Sequence, residues 1–294
     1  MRKWLKALWN VITFPFRIIA RFFRFILRSI KKFFGKFSGI GEFFTEEPED
    51  SPIGDTFAKV TEQPVGLFEH IDALRRHLLR SVLALIVTTS LAFAVTPKLI
   101  DWLAEPIGGI TNLIAIEVTE PISVYMRVAL LTGFTLALPY IAFEFYLFVA
   151  PGLQPKSRVA GLFALPAVLI FFVSGAAFAY FVMLPVGLPF LLNFMGIQTN
   201  VRPESYIKFV TGVMFWIGLF FEFPLVVYVL ARLGWVNWKF LLGQWRIAIV
   251  LIAVIAAAVT PTIDPVNMSL VMGPMIVLYF LGILMAYFAQ RGRQ

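Results

Sequence analysis

Beyond residue 77 the chain is dominated by long apolar stretches. They show neither the alternation of a half-buried strand nor the single stripe of a soluble amphipathic helix. These stretches predict six membrane-crossing helices, at 78–95, 123–149, 159–184, 206–230, 246–259 and 268–289. Proline and glycine punctuate them. The first ends before Pro97, the second at Pro151 and Gly152, and Pro185 and Pro189 are expected to break the far end of the third. The fifth is near or below the ~17 residues that a crossing needs. It stops at Thr260 and Pro261 and forms a tight antiparallel hairpin with the sixth. Either the bilayer thins around it or partners shield it. Pro139, Pro166 and Pro274 add bends, so the expected architecture is a kinked, concave bundle.

The first 44 residues follow a different pattern. Arg17, Arg21, Arg24, Arg28, Lys31 and Lys32 recur at helical spacing on one face, with Phe and Ile filling the rest. A cation interrupts nearly every turn, so no run reaches spanning length. The expectation is a basic amphipathic helix lying on the membrane surface, held by anionic lipid. It lacks the continuous apolar core and small-residue cleavage site of a secretory signal. Residues 45–65 reverse the composition, setting Glu46, Glu47, Glu49, Asp50, Asp55 and Glu62 among Pro and Gly, and read as a solvated linker. The six-span domain then covers 66–290, and 291–294 form a tail.

Composition strengthens this picture. The chain of 294 residues is 60% hydrophobic and only 14% charged, which excludes an ordinary soluble domain. There are no cysteines and two histidines, so disulfides, thiol chemistry and Cys- or His-rich metal sites have no material. The net charge of +8 is unevenly placed. Arg75, Arg76, Arg80, Lys156, Arg158, Arg232, Lys239, Arg246, Arg291 and Arg293 fall on the side of the basic N-terminus. The opposite loops carry Asp101, Glu105, Glu117, Glu120, Glu204 and Asp264 against Lys98 and Arg202. Both termini are therefore expected in the cytoplasm. No internal repeat supports an inverted-repeat transporter. Nucleic acid is not an expected partner, because bulky Phe on the basic segment would be wasted in water.

Catalytic motifs are absent: there is no Walker sequence, GxSxG or HExxH, and no glycine-rich loop precedes a helix. The candidate functional groups are carboxylates inside apolar helices. Glu222 lies within the fourth span, two residues before Pro224. A carboxylate at a bilayer centre costs on the order of 2.5–3.5 kcal/mol, so such a group faces protein or water. It reads either as a docking or proton-linked site or as a buried structural hydrogen bond. Glu144, late in the second span, reads equally as a functional group or as one that reaches interfacial water. His70 and His77 share a helical face without a third ligand nearby.

Several strings resemble one family, in order along the chain. TEPISVYMRVALL at 119–131, continuing through ALP at 137–139 to FVAPGL at 148–153, resembles the second span of TatC, the multispanning receptor subunit of the twin-arginine protein translocase. FEHIDALRRHLL at 68–79 resembles that family's "HLxELRxRL" segment. GAAFAYFVMLP at 175–185 resembles its third span, and GLFFEFP at 218–224 its "FGLxFExP". TPTIDP at 260–265, with Gly273, Pro274, Leu278 and Tyr279 beyond it, resembles the hairpin into its sixth span. The resemblance covers about 66–290 and implies an all-α, six-span membrane protein of a bacterial or archaeal cytoplasmic membrane. It also implies a non-enzymatic role: binding twin-arginine signal peptides of folded cargo, docking TatA/TatB-type single-span partners, and self-association, with transport driven by the protonmotive force.

The same comparison implies the site residues and shows departures. The family's acid in the first segment falls on Ala73, and its second signal-binding acid falls on Ser157. Glu69 and Asp72 are the neighbouring carboxylates that would substitute, with Arg75 and Arg158 retained in the signal-binding region. Glu222, Thr260 and Met268 fall at partner-docking positions, Met268 replacing the family's Gln. Two readings follow: a working receptor with an altered signal site, or a divergent paralogue that keeps the scaffold but not twin-arginine recognition. A third, from another class, is a proton-coupled small-solute transporter relaying through Glu144 and Glu222.

Overall fold

The computed structural model describes the backbone at 64–150, 155–192, 201–260 and 265–291, and side chains at 70–150, 165–192, 201–260, 265 and 268–291. The basic segment 1–44 and the linker up to residue 63 lie outside the described residues. Helix α1, Pro64–Ala92, begins well before the apolar run expected at 78–95 and carries His70, His77 and the arginines in its first half. It stops because of Pro97. A proline there cannot donate to the Phe93 carbonyl one turn back, so the helical ladder is cut. The freed carbonyl accepts from the Tyr125 hydroxyl at 2.6 Å instead. The chain turns through 75° into α2, Thr96–Ala104, followed by 3-10 turns at Glu105–Ile107 and Ile110–Asn112. The stretch expected as a plain loop, 97–121, is thus largely helical.

The end of α2 shows what buried tyrosines do here. The last carbonyls of a helix have no partner within it. Tyr180 donates to the Trp102 carbonyl and Tyr206 to the Leu103 carbonyl, each at 2.7 Å. Both hydroxyls come from later helices, so they pin α2 to them.

Helix α3, Glu120–Val149, is a 30-residue rod that tolerates Pro139 in its interior. Helix α4, Pro155–Phe178, runs into a π-helical segment, Ala179–Met183, and then α5, Leu184–Leu192. This corrects the expectation that Pro185 and Pro189 break the third span: residues 165–192 form a single apolar helix. In the π turn the Leu184 amide reaches back five residues to Ala179. The wider turn makes room for the Pro185 ring, which would otherwise press on the Phe181 carbonyl.

Helix α6, Pro203–Phe221, and α7, Phe223–Leu233, meet at Glu222. Gly234 ends α7 in the left-handed conformation (φ 81°), which glycine adopts without strain. A short helix α8, Trp238–Gly243, leads to α9, Trp245–Val259, and α10, Pro265–Arg291, completes the described chain. Among the described residues four helices are long and apolar enough to cross a membrane, five if α1 and α2 count as one bent span. Helix α9, at 15 residues, is as short as expected; at ~1.5 Å per residue it is about 22 Å long.

Apolar side chains alone do not drive helices together in lipid, so close approach and interhelical hydrogen bonds matter more. Two seams show this. Between α1 and α3, a Cβ on Gly133 would lie 2.5 Å from the Thr89 Cα, and the Thr88 hydroxyl donates to the Gly133 carbonyl at 2.8 Å. Between α4 and α6, a Cβ on Gly175 would lie 2.8 Å from the Gly218 Cα. The main core gathers side chains of α2, α3, the π segment, α5, α6, α9 and α10 around Ile207, Ile217 and Met275. A smaller cluster, Val227, Ala231, Ala286 and Ala289, joins α7 to α10.

Candidate functional site

Glu222 sits where α6 breaks. Pro224 cannot bond the Phe220 carbonyl, so the ladder lapses, and the Glu222 amide closes a tighter turn onto Leu219 at 3.1 Å. The neighbours on either side lock the position. A Cβ on Gly175 of α4 would lie 2.7 Å from the Phe221 ring, and one on Gly282 of α10 would lie 2.9 Å from the Phe223 ring. The two phenylalanines are keyed into glycines of two different helices. The Glu222 side chain between them is 7% exposed. Its carboxyl group lies within hydrogen-bonding reach of the Phe172 backbone, but Oε1 has no partner. A buried carboxylate oxygen without a donor is costly, and a donor from outside the chain would relieve that cost.

Glu144 has the opposite character. It is 3% exposed, and its Oε2 lies 2.6 Å from His77 Nδ1 and 3.8 Å from the Arg80 guanidinium, both on α1. The Tyr140 hydroxyl, one turn back on α3, donates to it as well. Phe148, one turn on, stacks against His70 at 4.5 Å and meets His77 edge-on at 6.2 Å. The face shared by His70 and His77 is therefore the face that α3 covers.

At the far end of α3, Glu120 is fully buried. Its Oε1 accepts from Arg202 at 2.7 Å and 3.0 Å, and from the Glu117 amide at 3.1 Å. Arg202 also reaches Glu117 at 2.9 Å. Hydrogen bonds to Glu120 first, and then to Glu117, hold the Arg202 guanidinium above its ordinary pKa. The backbone adds a bridge between Leu113 and Val201. Together they tie the segment before α3 to the segment before α6.

Of the residues expected to bind signal, Asp72 is exposed and pairs loosely with Arg76 at 3.5 Å, one turn on. Arg75 is exposed, and Ala73 is half-buried. Glu69 and Arg158 lie in the backbones of α1 and α4, but their side chains are outside the described residues. Of the residues expected at the docking site, Thr260 is buried, and its hydroxyl is spent on the Ala256 carbonyl at 2.9 Å. It lines a small cavity with Met183, Val213 and Leu270. Met268 is half-buried against the main core. Glu222 belongs to the α4–α6–α7 packing and not to this cavity, so the structure does not gather the three into one site.

Two pairings escaped sequence reasoning: Glu144 with His77, and Glu120 with Arg202. Both join helices far apart in sequence. The available signal was depth: His77 near the start of one crossing and Glu144 near the end of the next, antiparallel one lie at the same level.

Known proteins share this fold. The family profile described as TatC, Sec-independent protein translocase protein, matches residues 69–274. The chain is similar to the Sec-independent protein translocase protein TatC of Carboxydothermus hydrogenoformans, 34% identical over 77% of this chain and 95% of that one. It is similar also to that of Deinococcus radiodurans, 35% identical over 81% and 91%. Among solved structures it is similar to a crystal structure of the twin-arginine translocase receptor TatC, with a TM-score of 0.68 at 30% identity, covering 76% of this chain and all of that one.

Proposed function

The chain belongs to the TatC family of Sec-independent protein translocase proteins, and from that premise we propose that it is the multispanning receptor subunit of a twin-arginine translocase. In this reading it crosses a bacterial or archaeal cytoplasmic membrane six times with both ends inside. It receives signal peptides of folded cargo and docks TatA/TatB-type single-span partners. The family is one of translocase components rather than catalysts, and the role needs no bond chemistry.

One observation carries the docking half: a carboxyl group buried where a helix breaks, fixed by keyed phenylalanines, with an oxygen left open. A partner helix bearing a hydroxyl or amide donor would complete it. Glu222→Gln and Glu222→Ala are expected to reduce co-purification of the single-span partner while the chain still inserts. Unchanged co-purification makes Glu222 a packing residue.

For the signal half, two guanidinium groups need carboxylates at the membrane surface. With Ala73 and Ser157 at the family's acidic positions, Asp72 and Glu69 take that role, beside Arg75 and Arg158. The Asp72–Arg76 pair is exposed and readily exchanged. Crosslinking a twin-arginine peptide with Asp72→Ala and Glu69→Ala tests this: loss of labelling supports it, and labelling indifferent to both rejects it. Ala73 and Ser157 at the family's acidic positions favour a second reading, a paralogue that scaffolds without reading twin arginines. That reading expects no arginine-dependent labelling at all. Residues 1–44 act in either case as a basic surface anchor on anionic lipid, joined by the linker 45–65 to the six-span domain at 66–290.

A further inference from the structure

The ends of α7 and α10 and the short helix α8 bring three cations to one aromatic pair. Trp238 of α8 meets Tyr287 of α10 edge-on at 5.3 Å. Lys239 lies over the Trp238 ring at 5.8 Å, and the Arg291 guanidinium over the Tyr287 ring at 5.5 Å. Arg232, in the last turn of α7, reaches the Ala289 carbonyl at 3.4 Å, two residues before Arg291. Gln290 fastens the group by donating to the Val236 carbonyl at 2.9 Å.

The charges are not neutralised by the elements that carry them. The described residues of α7, α8, α9 and α10 contain no Asp or Glu. Two helix C-termini offer about half a negative charge each, which leaves the group positive by about two. Around it stand side chains unsuited to water: Trp235 is 66% exposed and Phe240 63%. A twin-arginine peptide would be repelled here. The fit is a ligand with an anionic head above apolar chains.

We propose that this corner, built from Arg232, Lys239, Arg291, Trp238 and Tyr287, is a binding site for the phosphate head of an anionic phospholipid. Its acyl chains would lie along Trp235 and Phe240. Lys239 and Arg291 sit on aromatic faces at the level where Trp and Tyr prefer the membrane interface, Arg232 stands beside them, and the phosphate supplies the acceptors that the protein omits. Lipid binding at this corner is independent of whether twin arginines are read.

The test uses the full chain in nanodiscs, with a photoreactive phenylalanine analogue in place of Phe240. A second chain carries it in place of Phe181, which is exposed near α2 at the opposite end of the bundle. Residues 1–44 remain in every sample, so their own lipid binding is common to all. At position 240, phosphatidylglycerol is expected to be labelled about tenfold over phosphatidylcholine at equal content, and at 181 about equally. Raising salt to about 0.5 M, or combining Arg232→Gln, Lys239→Gln and Arg291→Gln, is expected to remove the excess. Soluble glycerol phosphate is expected to compete poorly. Equal labelling by both lipids at 240 overturns the proposal. So does an excess unchanged by the triple variant, full displacement by glycerol phosphate, or adducts to an acidic polypeptide in place of lipid. The headgroup and salt comparisons use the native cations, so they decide the matter even if the triple variant fails to fold.

Discussion

The seam between α1 and α3 and the seam between α4 and α6 are built alike up to one point. Each has a glycine crossing too tight for a Cβ, at Gly133 against Thr89 and at Gly175 against Gly218. Each sets a carboxylate among apolar side chains, Glu144 in one and Glu222 beside the other. They part at the carboxylates. Glu144 meets a histidine, an arginine and a tyrosine, whereas Glu222 keeps an oxygen without a donor. A buried acid that the fold has satisfied holds helices together. One left open is available to something that arrives later.

The largest expected effect tests the shared part of the design. Gly133→Leu would drive a side chain into the α1 backbone and is expected to destabilise the protein by about 3 kcal/mol, read as loss of monodisperse protein in detergent. If Gly133→Leu is tolerated, the α1–α3 seam is not close-packed. Next comes the closed acid. His77→Leu is expected to cost about 2 kcal/mol in an unfolding titration, because Glu144 loses its nearest partner while remaining buried. Adding Glu144→Leu is expected to restore much of that loss, since the buried carboxylate is gone and the two groups that lose it, the Tyr140 hydroxyl and Arg80, belong to exposed residues. No recovery in the double variant would mean the pair is not the source of the cost.

Glu222→Gln is expected to change stability by less than about 1 kcal/mol, because no donor in the chain is abandoned. Its effect should appear as loss of the single-span partner. A drop in stability matching that of His77→Leu would erase the distinction between the two seams. The smallest effect lies at the far end. The Arg202 guanidinium is held above its ordinary pKa, so its contribution is complete below that ordinary value and is lost only when pH rises through the raised one. Stability is therefore expected to show no Arg202-dependent fall between about pH 7 and 10, and Arg202→Gln should not alter the profile in that interval. An alkaline transition there that disappears in Arg202→Gln would contradict the pairing with Glu120.

Much of the fold was legible because lipid makes patterns plain. Apolar length and proline positions placed the helix now seen as Glu120–Val149 and the short helix Trp245–Val259. The early part of α1 was legible only in the face shared by His70 and His77, and its start at Pro64 was not, because the first turns carry polar side chains that hydropathy discards. The π segment was also hidden: Pro185 reads as a stop unless the turn before it widens, and the apolar pattern carries no mark of that widening. At the candidate site Glu222 stood out as an acid in an apolar run. Its open oxygen, and the satisfaction of Glu144 by His77, are facts of helix register that no single helix encodes.

The cysteine-free chain permits a direct test of the difference between the seams. Leu219 and Val226 lie one turn either side of Glu222 and are exposed, whereas Phe145 is exposed beside Glu144. Single Leu219→Cys, Val226→Cys and Phe145→Cys chains would be oxidised in membranes with a cysteine scan along the partner's transmembrane helix. Disulfides are expected at 219 and 226, lost when Glu222→Gln is added, and none at 145. Crosslinking at 145 as strong as at 219, or bonds at 219 that persist with Glu222→Gln, would contradict the claim that the open carboxyl group is where the partner docks.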